Sequence, residues 1–311
     1  MSPRKALVFG ATGGVGSAVA RTAQSHGAQV FLALRDTSKP VPGLTFAEER
    51  RLGYERVQAD LTRPETVSAA VSKTGATHAF IYATIGASPD HLLSTAEALK
   101  SSGIEQVVLL SSFGVHGDPR DIPQSDFIGY EHAQVELSVQ KVFGPEKFVA
   151  IRPAFFSSNT LWWKSQIVVD GEVRWVSPDL KMDYISPEDI GAVSGKILAG
   201  ALEGVYESPI VLTGPETDLT VADAIKTIGQ VINKPVKVTK VSPEENIQLM
   251  ISKIGMSESM AKTLTSSFSS GDDGMMSAIA PETRGNVEKY LKRPATRFAE
   301  WVEQNKDKFM A

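Results

Sequence analysis

The stretch from Lys5 to Ala28, KALVFGATGGVGSAVARTAQSHGA, limits the fold more than any other part of this chain. The short apolar run Lys5 to Phe9 reads as a strand, followed by a glycine-rich turn and a run of small residues that reads as a helix. Gly10, Gly13 and Gly16 are spaced G-x-x-G-x-x-G. Between a strand and a helix, the first glycine permits a tight turn and the second lets backbone approach a phosphate. The third lets the helix lie close on the strand. N–H groups and the helix dipole then face an anion. A glycine-rich loop without a ligand is the alternative; the flanking strand and helix favour a bound dinucleotide.

The alternation continues. Gln29 to Arg35 is a second strand, and the residue ending it falls near the adenosine ribose in this topology. Arg35 there can meet a 2′-phosphate through its planar fork, with Lys39 as a second cation, so the expected cofactor is NADP(H). Asp36 is the competing feature, able to serve the ribose or to pair with Arg35. Val57 to Asp60 is a third strand, and Asp60 and Leu61 at its carboxyl end fall where adenine is commonly held. Thr62, Pro64 and Glu65 read as a capping box opening the next helix. A fourth strand leads into Ala83-Thr84-Ile85-Gly86, expected beneath a cofactor ribose; a helix ending at Gly103 and a fifth strand, QVVLLSSFG, follow. The pattern predicts an α/β fold, a Rossmann-type doubly wound parallel sheet. The expected division is a nucleotide domain over 1–155 and a smaller mixed α/β substrate domain over 156–311, with 183–214 returning to the main sheet.

Composition narrows the function classes. The chain has 311 residues with 32 Lys and Arg against 36 Asp and Glu, a net charge of −4. The basic residues are scattered, so neither nucleic acid nor an anionic membrane is an expected partner. The absence of cysteine excludes disulfides and thiolate chemistry. No metal constellation stands out, and no apolar run approaches the roughly 20 residues of a membrane span. The expectation is a cytosolic protein, monomer or homodimer, acting on a small molecule.

The second half is less regular. LWWKSQIVVDGEVRWV, Leu161 to Val176, predicts a hairpin at Asp170-Gly171. Trp162, Trp163 and Trp175 either floor an apolar substrate pocket or pack in a core. Ser186-Pro187 marks a helix start, YESPIVLTG a strand returning to the main sheet, and VKVTKVS a strand before the helix start SPEE. Residues 257–280, with SSGDDG at their centre, read either as a mobile segment closing over a greasy substrate or as a plain surface loop.

GATGGVG, QAD, VVLLSS, IRPAFFSSN and YISPEDIGAV together resemble the short-chain dehydrogenase/reductase superfamily in its atypical NmrA-like branch. VLTGPETDLTVADAI and KRPATRFAEWVEQN are similar to ergot-alkaloid reductases related to agroclavine dehydrogenase, which suggests secondary metabolism. The resemblance covers nearly the whole chain. It implies that Gly10, Ala11, Thr12, Gly13, Gly14, Val15 and Gly16 hold the pyrophosphate and Arg35 the 2′-phosphate. It also implies that Thr84 and Ile85 line the ribose, that Ser111 and Ser112 approach the nicotinamide, and that Pro153 to Phe156, including Phe155 and Phe156, wall its face. Phe113, Trp162 and Trp163 become candidate substrate contacts.

Such enzymes often carry a catalytic Tyr with a Lys four residues on. FIGYEHAQVE, Phe127 to Glu136, offers Tyr130 followed by Gln134, or Ile128 followed by His132. The pair is absent either way. Without the Lys, Tyr130 keeps a pKa near its reference of roughly 10 and makes a poor base. His132 either donates a proton, bonds the ribose or is structural. Hydride transfer to an iminium ion needs no protein acid at that step. The leading expectation is an NADP(H)-dependent reductase of a small, largely apolar metabolite of iminium, enone or quinone type, delivering hydride into a pocket between the domains. Two alternatives stand beside it: a redox sensor of the NmrA kind, which binds the dinucleotide and a protein partner without turnover, and a non-redox cyclase or isomerase.

Overall fold

The computed structural model describes residues 3–202, 204, 207–269 and 279–310. The central predicted lid residues, 270–278, lie outside this set. Two compact units emerge: 1–153 with 187–212 and 286–293, and 154–186 with 213–285 and 294–311.

The first unit is organised by a seven-stranded parallel sheet. Its strands are β1 (Lys5–Phe9), β2 (Gln29–Leu34), β3 (Glu55–Gln58), β4 (His78–Tyr82), β5 (Gln106–Leu110), β6 (Phe148–Pro153) and β8 (Ile210–Leu212). They lie in the order β3-β2-β1-β4-β5-β6-β8. Four of the five residues of β1 and five of the six of β2 are buried, as near-continuous apolar runs covered on both faces require. The order reverses between β1 and β4, where Val8 is paired with Leu32 on one side and Phe80 on the other. A ligand crevice opens at the carboxyl ends of strands at such a point. The predicted Rossmann-type sheet is therefore present.

The helices of this unit are α1 (Gly14–Ser25), α2 (Phe46–Leu52), α3 (Pro64–Thr74), α4 (Leu93–Ser101), α5 (Phe127–Phe143), α6 (Pro187–Leu198) and α10 (Asn286–Leu291). Helix α1 is seated by α6, although some 170 residues separate them. Gly191 and Gly195, one turn apart on α6, press against α1: an added Cβ at Gly191 would lie 2.4 Å from Ala18 Cβ, and one at Gly195 2.7 Å from Thr22 Cβ. Only glycine lets the two backbones approach so closely, and that contact sets where the first turn of α1 points. The capping box foreseen at Thr62 is a correction: α3 starts after Arg63 with no side-chain cap, because Asp60 Oδ1 takes both the Thr62 N–H and its hydroxyl at 2.9 Å. The carboxylate is the stronger acceptor and closes a local turn instead.

The second unit contains β7 (Glu172–Trp175) paired in parallel with β9 (Lys237–Lys240), and helices α7 (Val221–Val231), α8 (Pro243–Leu249), α9 (Glu258–Ser269), α11 (Phe298–Gln304) and α12 (Lys306–Met310). The expected hairpin at Asp170-Gly171 does not form. Gln166–Asp170 is a wide helical turn, and Gly171, at φ 67°, ends it and releases the chain into β7. A left-handed glycine serves a helix stop as well as a hairpin, and here the former wins. Trp163, Trp175, Trp301, Tyr184, Phe298 and Phe309 form a fully buried aromatic core. Among the described residues, no helix is long and apolar enough to cross a membrane.

Candidate functional site

The glycine turn is built from backbone. Gly10 adopts φ 71° and its carbonyl accepts the Gly13 N–H at 2.9 Å. A Cβ on Gly16 would meet the Gly10 carbonyl oxygen at 2.3 Å, so the third glycine is required for the close approach of helix to turn. Helix α1 begins at Gly13 with no side-chain cap and no acidic residue in its first turn. Leading amides without a side-chain cap suit an external anion.

Beside this turn lies a cleft of about 430 Å³. Gly10 and Thr12 line it from the turn, Arg35, Asp36 and Lys39 from the segment after β2, Leu61 from the segment after β3, and Tyr82 from the end of β4. Among the described residues, neither the Arg35 guanidinium nor the Lys39 ammonium has a hydrogen-bonded or ion-paired partner. Asp36 does not pair with Arg35: its Oδ1 accepts the Ser38 N–H at 2.9 Å and the Ser38 hydroxyl at 2.6 Å, which hold its carboxyl below the usual value. Asp60 is committed to Thr62 and does not line the cleft, whereas Leu61 does. Tyr82 escaped the sequence reading. Its ring edge would lie 2.9 Å from a Cβ on Gly10, and burial raises its phenol above 10.0, so it stays neutral. An aromatic residue at the carboxyl end of a strand was the available signal.

Two unpaired cations, an uncapped helix start and a glycine cradle that a side chain would fill suit a phosphorylated dinucleotide. Further along, Ala83, Thr84 and Ile85 are half-buried at the end of β4, and Thr84 Oγ1 is buried without a partner. Gly86 N–H donates to Glu131 Oε2 at 3.0 Å.

One face of α5 carries Ile128, His132 and Glu136, each four residues from the next. Glu136 fixes where that face points. It accepts the Ser111 hydroxyl at 2.5 Å and grips Arg152 of β6 through bonds of 2.9 and 2.6 Å. Ser111 is thereby committed to a buried network. Ser112 Oγ accepts the Gly114 N–H, and the buried Phe113 donates its N–H to the Pro153 carbonyl. His132 is half-buried, its Nδ1 enclosed without a partner among the described residues, and burial lowers its pKa to about 4. The imidazole is neutral at neutral pH. Tyr130 is two residues away, about 200° around the helix. It packs with Val115, Ile122 and Ala133, meets His91 edge-on at 6.2 Å, and its hydroxyl accepts from Gln124 at 3.3 Å. The structure does not bring Tyr130 and His132 together.

Phe155, Phe156, Trp162 and Trp163 belong to the second unit. Phe155 lies edge-on to Trp162 at 6.0 Å and to Tyr184 at 5.6 Å. Trp163 is 1% exposed and packs on Trp175 at 5.6 Å, a core position within that unit; Trp162 is half-buried at its margin.

The NmrA-like family model matches residues 3–302. The nitrogen metabolite regulation-like protein bik4 of Gibberella fujikuroi is 35% identical, with 96% of each chain covered. The NAD(P)H azoreductase of Xenophilus azovorans is 25% identical over 98% of this chain and 99% of its own. Among solved structures, the NADPH-dependent quinone oxidoreductase QOR2 of Escherichia coli, complexed with NADPH, superimposes with a TM-score of 0.72 over 97% of this chain and 99% of its own. At 18% identity that likeness concerns the fold.

Proposed function

The chain belongs to the NmrA-like family, and from that premise we propose that it is an NADP(H)-dependent reductase of a small, largely apolar acceptor. The observation that carries this reading is the pair of unpartnered cations, Arg35 and Lys39, on the cleft that the Gly10–Gly16 turn borders. They fit a 2′-phosphate; the turn and the start of α1 fit the pyrophosphate; Leu61 fits adenine; Thr84 Oγ1 fits a ribose hydroxyl. The azoreductase relative, which by its name uses NAD(P)H, and the NADPH-bound quinone oxidoreductase support the same cofactor.

Bound NADPH would supply hydride from its nicotinamide. The chain's own contribution at that end is modest. A neutral His132 can donate or accept one hydrogen bond, and it carries no charge with which to lower the pKa of a neighbouring hydroxyl. Ile128, one turn before it, offers no proton. Tyr130, the other candidate donor, faces another way. These features favour acceptors of the iminium, enone or quinone class, which take hydride without a proton delivered by a tuned tyrosine. Buried Phe113 of the first unit is the proposed apolar contact for such an acceptor.

The test is a titration with NADPH and NADH of the native protein and of Arg35→Ala. Loss of a charge-assisted contact should weaken NADPH by roughly 10- to 100-fold and leave NADH nearly unchanged. Equal affinities for the two cofactors before and after the substitution would remove the basis of the reading. The missing Tyr–Lys pair and the bik4 relationship favour one second reading, a dinucleotide sensor. It requires different affinities for NADPH and NADP⁺ and no NADPH consumption across acceptor panels.

A further inference from the structure

The segment that carries Lys39 is held from outside the cleft. Arg56, on β3, sends Nη1 to two of its carbonyls, Thr37 at 2.6 Å and Lys39 at 2.7 Å. The other edge of the same guanidinium grips Glu49 of α2, with Nε to Oε2 at 2.7 Å and Nη2 to Oε1 at 2.6 Å. Both side chains are largely buried, Arg56 at 14% and Glu49 at 5% exposure, and the Phe46 ring covers the guanidinium at 4.4 Å. Helix α2, which places Glu49, is itself secured by a capping box between Thr45 and Glu48. Farther along the segment, Arg21 of α1 donates to the Pro42 carbonyl at 2.5 Å. Gly43 at φ 73° passes so close that a Cβ there would lie 2.6 Å from the same guanidinium.

The division of labour among the cations is clear. Arg56 spends four of its five N–H groups on one carboxylate and two carbonyls, and its charge is neutralised by Glu49. The Arg35 guanidinium and the Lys39 ammonium have no hydrogen-bonded or ion-paired partner among the described residues. A segment ordered only on binding costs affinity, and a segment ordered in advance avoids that cost.

We infer that Arg56, fixed by Glu49, is a positioning residue for 2′-phosphate recognition: it holds the Asp36–Lys39 turn so that Arg35 and Lys39 face the cleft. The inference rests on the proposed NADP(H) reading. It separates cleanly from a direct electrostatic effect. If Arg56 acted by charge, Glu49→Gln would free that charge and tighten NADPH. If it acts by position, Glu49→Gln loosens the guanidinium and weakens NADPH.

The experiment measures affinity for NADPH and NADH in Glu49→Gln, Arg56→Met and the double variant Glu49→Gln/Arg56→Met, beside Arg35→Ala and Lys39→Ala. The double variant removes both buried charges together, so it folds where a lone buried charge is not tolerated. The expected result is NADPH weakened about tenfold in all three clamp variants, with NADH changed less than about twofold. Tighter NADPH binding in Glu49→Gln would overturn the inference, and so would equal weakening of both cofactors, the mark of general damage. The underlying reading fails separately: there, Arg35→Ala and Lys39→Ala would leave the preference for NADPH over NADH intact. If those two collapse the preference and the clamp variants keep it, only the positioning role is lost.

Discussion

Around the sheet of the first unit the core is mostly aliphatic, with Leu7, Ile81, Val107 and Leu109 buried alongside Phe9 and Phe31. In the second unit the core is rich in aromatic rings, and the indole N–H groups of Trp163, Trp175 and Trp301 are buried without partners among the described residues. The first unit gets its precision from backbone: regular strands, glycines where helices must touch, and carbonyls clamped by Arg21 and Arg56. The second gets its solidity from large rings that fill space and leave some polar atoms unsatisfied. A phosphate cradle needs fixed amides and fixed cations, which the first kind of architecture supplies. An apolar pocket needs only shape, which rings can supply and can change without altering the fold.

Trp175 is fully buried in the core of the second unit. Its ring packs on Trp163 at 5.6 Å and on Phe268 at 5.4 Å. Trp175→Ala should cost about 3–5 kcal/mol of stability, the range for removing a buried aromatic ring. Urea unfolding followed by circular dichroism measures it. A loss under about 1 kcal/mol would mean that these rings are not the core of their unit.

A smaller effect is expected in the first unit at Gly191. A methyl there would sit 2.4 Å from Ala18 Cβ and 2.7 Å from the Val15 carbonyl oxygen, forcing α1 and α6 apart. Gly191→Ala should cost about 1–3 kcal/mol, as overpacking does. It should also weaken NADPH and NADH alike, because the glycine turn proposed for the pyrophosphate leads into α1. Selective loss of NADPH alone would show that α1 does not position the pyrophosphate site.

The same contrast explains what could be read in advance. Gly10 and Gly16 were legible because a left-handed backbone conformation and a close helix contact each demand glycine. Arg35 was legible because its place at the end of β2 is fixed by the sheet. Tyr82 was not, since its reach over Gly10 depends on β4 lying beside β1, a pairing of residues about 70 positions apart. The Glu49–Arg56 clamp was hidden for a similar reason: its targets are the carbonyls of Thr37 and Lys39, and carbonyls leave no mark on residue type. Asp170-Gly171 misled because a left-handed glycine ends a helical turn as readily as it forms a hairpin. Thr62 misled because Asp60 competed for its hydroxyl. The place of Trp163 in the core was one of two readings open to any tryptophan in an apolar run.

The smallest expected effect is that of pH: Asp183 in the second unit and His132 in the first pull stability in opposite directions as they titrate. In the second unit Asp183 is fully enclosed. Burial raises its carboxyl from 3.8 to about 7, against the pull of N–H bonds from Gly214 at 2.7 Å and Phe155 at 2.9 Å. Between those values the folded chain keeps a proton that the unfolded chain has released. The contribution of Asp183 is therefore full below pH 3.8 and is lost as pH rises toward 7. In the first unit, burial lowers His132 from 6.5 to about 4, so the unfolded chain takes up a proton that the folded chain refuses. Its contribution is present above pH 6.5 and is lost as pH falls toward 4. Each slope is limited to about 1.4 kcal/mol per pH unit, and in the native protein the two oppose one another between pH 4 and 6.5. Asp183→Asn should expose the His132 slope, with stability falling toward acid. His132→Gln should expose the Asp183 slope, with stability falling as pH rises through the same window. Urea unfolding at half-unit steps of pH reads the slopes regardless of any constant cost of either substitution. Identical slopes in the native protein and both variants would mean that neither group is buried as the structure places it.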